Sequence, residues 1–224
     1  MATLKQHNFY FLLAGLLFLL LAIPLLRDLT GKNYQHISEF TFSIFLLIGI
    51  WSLYKAPHIF LFGVVLTIIG ITGNLLAIFT EVFFFVLLSL SCYIIFLLLS
   101  ISLAIRQVVL ANTIDFNSLV GGICIYLLLG VIWGLLYVMV NVLIPGSFNI
   151  STSESAFEQL QDFIYFSFVT LATLGYGDIV PLSATARALS IIEAVFGQFY
   201  IAILVAGLVA AYITKRMPSQ KCSS

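Results

Sequence analysis

The sequence predicts an all-α membrane protein with six transmembrane helices and a short re-entrant helix between the fifth and the sixth. Of its 224 residues, 62% are hydrophobic and only 8% are charged, which excludes a soluble domain with a polar surface. The apolar residues fall in runs near the length that crosses a bilayer, about 20 residues. One polar, irregular segment interrupts this pattern, between the last two runs.

Six apolar runs are long enough to span. The stretch 59–105 is nearly continuous, and as one helix it would exceed the hydrocarbon core, so we expect a turn at Thr80 and Glu81. The first run resembles a signal peptide, but it is too long and has no small-residue cleavage site before Arg27-Asp28, so we predict a retained helix. The predicted spans are Phe9–Leu26, Ile37–Tyr54, Ile59–Phe79, Val82–Ile105, Leu119–Ile144 and Arg187–Ile213.

The segment between the fifth and sixth runs has a different character. A polar stretch, 146–158, leads into the apolar and aromatic residues 159–172, which are too few to cross a bilayer. We expect 159–172 to form a re-entrant helix, because irregular backbone at membrane depth must be buried in protein or line a water-filled cavity. Carbonyls at the C-terminal end of such a helix carry partial negative charge and favour a cation there.

A glycine-containing motif follows this helix, Thr173-Leu174-Gly175-Tyr176-Gly177-Asp178. Glycine at alternate positions accepts the positive φ angles that flip successive peptides, so that consecutive carbonyls face one axis. A dehydrated cation needs such oxygen dipoles in place of its water. The motif therefore predicts a cation site built from backbone oxygens.

The motif resembles the Thr-Val-Gly-Tyr-Gly selectivity filter of tetrameric potassium channels, with Leu174 in place of valine. The resemblance covers residues 119–214 and includes Pro181 and Arg187 after the filter. It implies that K⁺ is the transported ion and that no cofactor is needed. One filter per chain cannot surround an ion, so it also implies a homotetramer. The implied ligands are the backbone oxygens of Thr173, Leu174, Gly175 and Tyr176, with Gly177 completing the filter and the Thr173 hydroxyl at its inner end.

The same resemblance implies how the filter is supported. The Tyr176 ring would point away from the ion into a cuff of aromatic residues, where Tyr165 and Phe166 replace the two tryptophans of many members. Phe166 offers no donor, so the Tyr176 hydroxyl would bond to Thr170 or water. Tyr165 would reach Asp178 behind the filter.

The sixth span carries the implied cavity and gate. Gly197 falls where that family has its inner-helix hinge. In the same register, Gln198, Ile201 and Val205 would line the cavity, and Ile213 would lie near the cytoplasmic constriction.

Several further positions have plainer interpretations. Val169 occupies the place of a glutamate that some potassium channels pair with the filter aspartate. Glu193 is an acid within an apolar helix, for which we favour a structural bond to the pore loop. Gly130 and Gly134 predict close helix packing, and Asn149-Ile150-Ser151 is a glycosylation sequon.

The basic residues predict the orientation. A potassium-channel arrangement places both termini of this multi-pass cell-membrane protein in the cytoplasm. Six basic residues then lie inside and three outside, in agreement with the positive-inside rule. Those inside are Lys5, Lys55, Arg106, Lys215, Arg216 and Lys221, and those outside are Arg27, Lys32 and Arg187. The predicted parts are a cytoplasmic N-terminus (1–8), a peripheral four-helix domain (9–106), a pore domain (119–214, with filter 173–178) and a cytoplasmic tail (215–224).

The predicted function is a potassium-selective channel without voltage gating, because the fourth span, Val82–Ile105, contains no Lys or Arg. Two alternatives stay open: a weakly selective cation channel, and a non-conducting structural or regulatory subunit. The three histidines form no ligand-spaced cluster, and the net charge is zero. Neither an enzyme nor a nucleic-acid partner is indicated.

Overall fold

The structure, a computed structural model, describes residues 9–30, 42, 46, 57–80, 82–109, 116–150 and 159–216. The described residues are helical except at 82, 144–150 and 172–183; they include one isolated β-bridge, between Phe148 and Pro181, and no strand. The helices, numbered here along the chain, are α1 (Phe9–Thr30), α2 (Pro57–Thr80), α3 (Phe83–Val109), α4 (Phe116–Leu143), α5 (Gln159–Leu171) and α6 (Ala184–Arg216).

Four of the described helices are long and apolar enough to cross a membrane, over Phe60–Thr80, Phe83–Val108, Asn117–Leu143 and Ala184–Leu204. In α1 the apolar stretch is shorter, Phe9–Ala22, and Pro24 lies inside the helix. The predicted span Ile37–Tyr54 lies outside the described residues, except for Phe42 and Leu46, which are helical and buried. The predicted termini, 1–8 and 217–224, also lie outside them.

Helices α2 and α3 pack against each other across the predicted turn. Helix α2 ends at Thr80 and α3 begins at Phe83, while Glu81 lies outside the described residues. Close approach is possible because Gly70 faces the ring of Tyr93, where a Cβ on Gly70 would lie 2.4 Å from a ring carbon. The apolar run 59–105 is therefore two helices.

Helix α4 lies at the centre of the molecule, because α1, α3, α5 and α6 all pack on it. The predicted close packing at Gly130 and Gly134 is confirmed, and the partner is α5. A Cβ on Gly134 would lie 3.0 Å from the Cα of Ile164, and one on Gly130 would lie 2.5 Å from the Phe168 ring. These two glycines let the short helix α5 lie directly against α4.

Helix α6 begins at a side-chain cap. The Ser183 hydroxyl accepts a hydrogen bond from the Ala186 N–H at 3.1 Å, which satisfies one of the free amides of the first turn. Arg187 Nε donates to the Pro181 carbonyl at 3.2 Å. The cap starts the helix at Ala184, three residues before the predicted span.

Gly197 lies where α6 meets the end of α5. A Cβ at this position would lie 2.3 Å from the carbonyl oxygen of Leu171, so the contact requires glycine. Helix α6 is continuous through Gly197. The structure gives this glycine a packing role, and its predicted role as a hinge stays a prediction.

We expect Gly197→Ala to destabilise the protein by about 1–3 kcal/mol, as overpacking does when the neighbour is backbone. Gly207→Ala is the matched control, since it lies in the same helix with no atom within 4 Å of an added Cβ. Alanine there should be neutral or stabilising by helix propensity. Thermal unfolding of both variants in detergent measures the difference, and equal melting temperatures would contradict the packing role.

Candidate functional site

The glycine motif forms an extended segment directly after α5. The sign of φ alternates along it: φ is 57° at Thr173, 58° at Gly175 and 81° at Gly177, while Leu174 and Tyr176 are not among the positive-φ residues. Positive φ is expected at the glycines. At Thr173, a β-branched residue, it is a strained conformation that costs about 1–3 kcal/mol. Sequence reasoning placed positive φ at the two glycines and missed Thr173.

The first three amides of this segment bond back to α5. The Thr173 N–H donates to the Thr170 carbonyl at 2.9 Å, and the Leu174 N–H donates to the Val169 carbonyl at 2.8 Å. The Gly175 N–H reaches the same Val169 oxygen at 3.4 Å. When φ alternates in sign, successive N–H groups share one side of the chain. The opposite side is left to the carbonyl oxygens.

The filter segment is open in the single chain. Every residue from Ala172 to Asp178 is exposed, with Leu174 at 59% and Tyr176 at 68%. The aromatic cuff predicted around Tyr176 is therefore not formed within one chain.

Phe166, predicted to share that cuff, lies elsewhere. It is 6% exposed, and its ring packs edge-on against Tyr137, with centroids 5.0 Å apart, and Phe148, at 5.5 Å. Adjacent helical residues point about 100° apart, so Tyr165 and Phe166 face different surroundings.

Tyr165 and Asp178 meet at the outer end of the segment. The Tyr165 hydroxyl donates to Asp178 Oδ2 at 2.7 Å, and the Ile179 N–H donates to Oδ1 at 3.0 Å. The tyrosine bond has the largest effect and holds the pKa of Asp178 below its ordinary value; burial, the next largest effect, opposes it, and the backbone amide of Ile179 lowers the pKa further. The carboxylate thus stays ionised at neutral pH, as an acceptor for both groups.

Asn149 holds the same loop from the other side, which sequence reasoning missed. Its Oδ1 accepts from the Val180 N–H at 2.6 Å, and its Nδ2 donates to the Asp178 carbonyl at 3.0 Å. The Asn149 N–H also donates to the Val180 carbonyl, at 3.3 Å. The nitrogen that a glycan would occupy in the sequon is thus engaged in the outer loop. In the sequence, the only hint of this role was an amide side chain shortly after Gly146. In the structure, Gly146 has a φ of 81°.

The inner end of the segment faces α6. Gln198 Nε2 lies 3.4 Å from the Thr173 hydroxyl, which brings together a predicted cavity residue and the predicted innermost ligand. Ile201 is exposed on the same helix, at 38%. Val205 and Ile213 lie in the helical backbone of α6, and their side chains are outside the described part of the chain.

Glu193 lies behind the segment and is fully buried. The Tyr137 hydroxyl donates to its Oε2, and Ser167 Oγ lies 2.5 Å from its Oε1. Tyr137 belongs to α4 and Ser167 to α5, so one carboxyl group links three helices. A bond to the pore loop was predicted, and the bond to Ser167 agrees with it, whereas Tyr137 was not foreseen.

The chain was compared with protein families. Residues 122–214 match the family model described as "Ion channel". This segment runs from α4 through α5 and the filter to the end of α6. This part of the chain is therefore similar to ion channels.

Two plant proteins are similar to part of the chain. The chain is 37% identical over 67 residues to "Two pore potassium channel c" of Oryza sativa subsp. japonica, covering 30% of this chain and 14% of that protein. It is 40% identical over 48 residues to "Two-pore potassium channel 5" of Arabidopsis thaliana, covering 21% of this chain and 12% of that protein. The match thus spans a small part of each relative. No solved structure matches the chain.

Two substitutions of Asn149 distinguish the bond made by its Oδ1 from the bond made by its Nδ2. Asn149→Ala removes both bonds, whereas Asn149→Asp keeps an oxygen that accepts from the Val180 N–H. A hydrogen bond contributes about 1 kcal/mol, so the Val180 amide should exchange about fivefold faster in the alanine variant and near the wild-type rate in the aspartate variant. Hydrogen–deuterium exchange measures this, and unchanged protection in Asn149→Ala would refute the role of the side chain.

Proposed function

We propose that the chain is a potassium-selective channel that conducts dehydrated K⁺ passively through backbone oxygens. The observation that carries the proposal is the alternating φ of residues 173–177 with amides bonded to the Val169 and Thr170 carbonyls. This arrangement bonds the amides of Thr173, Leu174 and Gly175 to the pore helix. In the proposal, the backbone oxygens of Thr173, Leu174, Gly175 and Tyr176 face the ion. The names of the two plant relatives support K⁺ as that ion.

Electrostatics at the inner end favour a cation. Helix α5 ends at Leu171, directly before the filter, and the last carbonyls of a helix carry partial negative charge. The Thr173 hydroxyl and Gln198 add polar atoms there. Together with Ile201, Val205 and Ile213 further along α6, Gln198 would line the path to the cytoplasm, and Gly197 would be its hinge.

We propose a homotetramer, because one exposed filter segment cannot enclose an ion. The neighbouring surface of α6 is apolar and exposed in the single chain, which suits contact with other copies or with lipid. Its large exposed side chains are Ile191, Ile192, Val195, Phe196, Phe199 and Ile203. Native mass spectrometry of the extracted complex would count the chains, and a stable monomer that conducts would exclude this assembly.

The proposed placement is a cell membrane crossed six times, with both termini in the cytoplasm. The four long apolar helices support insertion, and the distribution of basic residues supports the orientation. Labelling of introduced terminal cysteines with an impermeant reagent tests it, since labelling from outside would reverse the topology.

Reconstitution in bilayers with K⁺ on one side and Na⁺ on the other tests the ion choice. We expect the current to reverse near the potassium equilibrium potential. Gly177→Asp should abolish the current, because it places a side chain at a φ of 81° within the filter. Gly146→Asp is the matched control: its φ is also 81° and an added Cβ also has no atom within 4 Å, but it lies outside the filter and should leave selectivity intact.

Each other outcome favours a different function. Reversal between the potassium and sodium potentials would indicate a weakly selective cation channel, in which the filter relaxes because its cuff lacks the usual tryptophans. A wild-type protein without filter-dependent current would favour a structural or regulatory subunit. Loss of current in both aspartate variants would mean that strain, and not the filter, is responsible.

We also expect little voltage dependence. A gating charge gains about 2.3 kcal/mol per 100 mV, and steep gating needs several such charges per subunit. Helix α3 has a single basic residue, Arg106, which lies in its last turn. Conductance measured across a range of potentials in the same bilayers should therefore change gradually, and a steep rise within a few tens of millivolts would contradict this expectation.

A further inference from the structure

Glu193 occupies an unusual position for an acid. It is fully buried where α4, α5 and α6 meet, and no Lys or Arg in the described part of the chain lies against it. The titratable group bonded to it is the Tyr137 hydroxyl from α4, and Tyr126 of the same helix lies near it. A buried carboxylate without a cation is costly.

The hydrogen atoms available at this junction decide which form of the acid fits. Tyr137 uses its single hydrogen on Glu193 Oε2. Ser167 also has one hydrogen, yet its Oγ lies 2.8 Å from the Gly130 carbonyl and 2.5 Å from Glu193 Oε1. With an ionised Glu193, one of these two oxygen pairs would have no hydrogen between its atoms. With a protonated Glu193, Oε1–H donates to Ser167 and Ser167 donates to Gly130, so each of these two pairs, and the pair of Tyr137 with Oε2, has a hydrogen between its atoms.

We propose that Glu193 is a neutral carboxylic acid at neutral pH and a positioning residue for the filter. The positioning role rests on the proposed channel function, whereas the neutral state of Glu193 does not. The acid acts as donor to α5 and acceptor from α4, and so fixes the register of α6 against the pore helix.

The register argument comes from spacing on two helices. Glu193 and Gly197 are four residues apart on α6, and their partners Ser167 and Leu171 are four residues apart on α5. Residues at that spacing share one face of a helix. The two contacts thus fix the distance between α6 and α5, and they also fix the position of α6 along the axis of α5. Val169, whose carbonyl holds two filter amides, lies between the two contact points.

Neutrality matters for the ion path. An ionised acid in a low-dielectric interior behind the filter would add a negative charge to the potential that the ions meet. A neutral acid supplies the hydrogen bonds without that charge. Glutamine has nearly the same shape and can donate to Ser167 and accept from Tyr137, so it mimics the neutral form.

Infrared spectroscopy tests the protonation state without requiring conduction. The difference between wild-type and Glu193→Gln protein at pH 7 should contain the C=O stretching band of a protonated carboxylic acid, shifted in D₂O. A difference spectrum with only carboxylate bands would overturn the neutral assignment. This measurement decides the first half of the proposal even if the chain conducts no potassium.

Variants test the positioning role. Glu193→Gln should keep the melting temperature of wild type, and its K⁺ over Na⁺ permeability ratio should lie within about twofold of the wild-type ratio. Glu193→Ala should lower the occupancy of the conducting state about tenfold or more, because it removes buried hydrogen bonds. Ser167→Ala, which cuts only the link to α5, should reproduce part of the alanine effect. A glutamine variant as impaired as the alanine variant would overturn the proposal, and so would an alanine variant that conducts as wild type. If wild-type protein itself carries no current, the channel proposal fails, and melting temperatures of the same variants then decide whether Glu193 joins the helices.

Discussion

The bonds from the Leu174 and Gly175 amides to the Val169 carbonyl are the constraint on which the rest of the site depends. They turn these backbone N–H groups towards α5 and leave the opposite side of the segment to the carbonyl oxygens. They also require the end of α5 to lie immediately behind the filter. The glycines of α4 and α6 meet this requirement, because Gly130, Gly134 and Gly197 let the two long helices approach α5 without a side chain between.

Hydrogen bonds at the outer end of residues 173–178 oppose the strain within this segment. Thr173 is held at a φ of 57°, which an isolated peptide would avoid. At the outer end, the Tyr165 hydroxyl donates to the Asp178 carboxylate, and the Asn149 side chain bonds to the Asp178 carbonyl and the Val180 N–H. Each such bond contributes about 1 kcal/mol, so together they are comparable with the strain at one residue. The unusual backbone is thus maintained by ordinary hydrogen bonds from surrounding elements.

The sequence predicts the parts of this site that depend on local pattern. Apolar run length locates the long described helices, the glycine motif locates the extended segment 173–178, and the resemblance to potassium channels pairs Tyr165 with Asp178. It does not reveal the positive φ of Thr173, because β-branched residues disfavour that region. Nor does it reveal the partners of Asn149 or Glu193. Asn149 bonds to residues 29 and 31 positions away, and Tyr137 is 56 positions from Glu193. Such pairs depend on how the helices pack.

The alternation of φ along residues 173–177 also determines the shape of the segment. A chain whose residues all have one handedness accumulates twist and coils, as helices and ordinary strands do. When left-handed and right-handed residues alternate, each twist is cancelled by the next, and the chain runs straight. A straight segment can lie parallel to an axis over its whole length. In the proposed homotetramer, copies related by rotation about that axis would stay equally far from it at every level, so each level would present a ring of constant diameter.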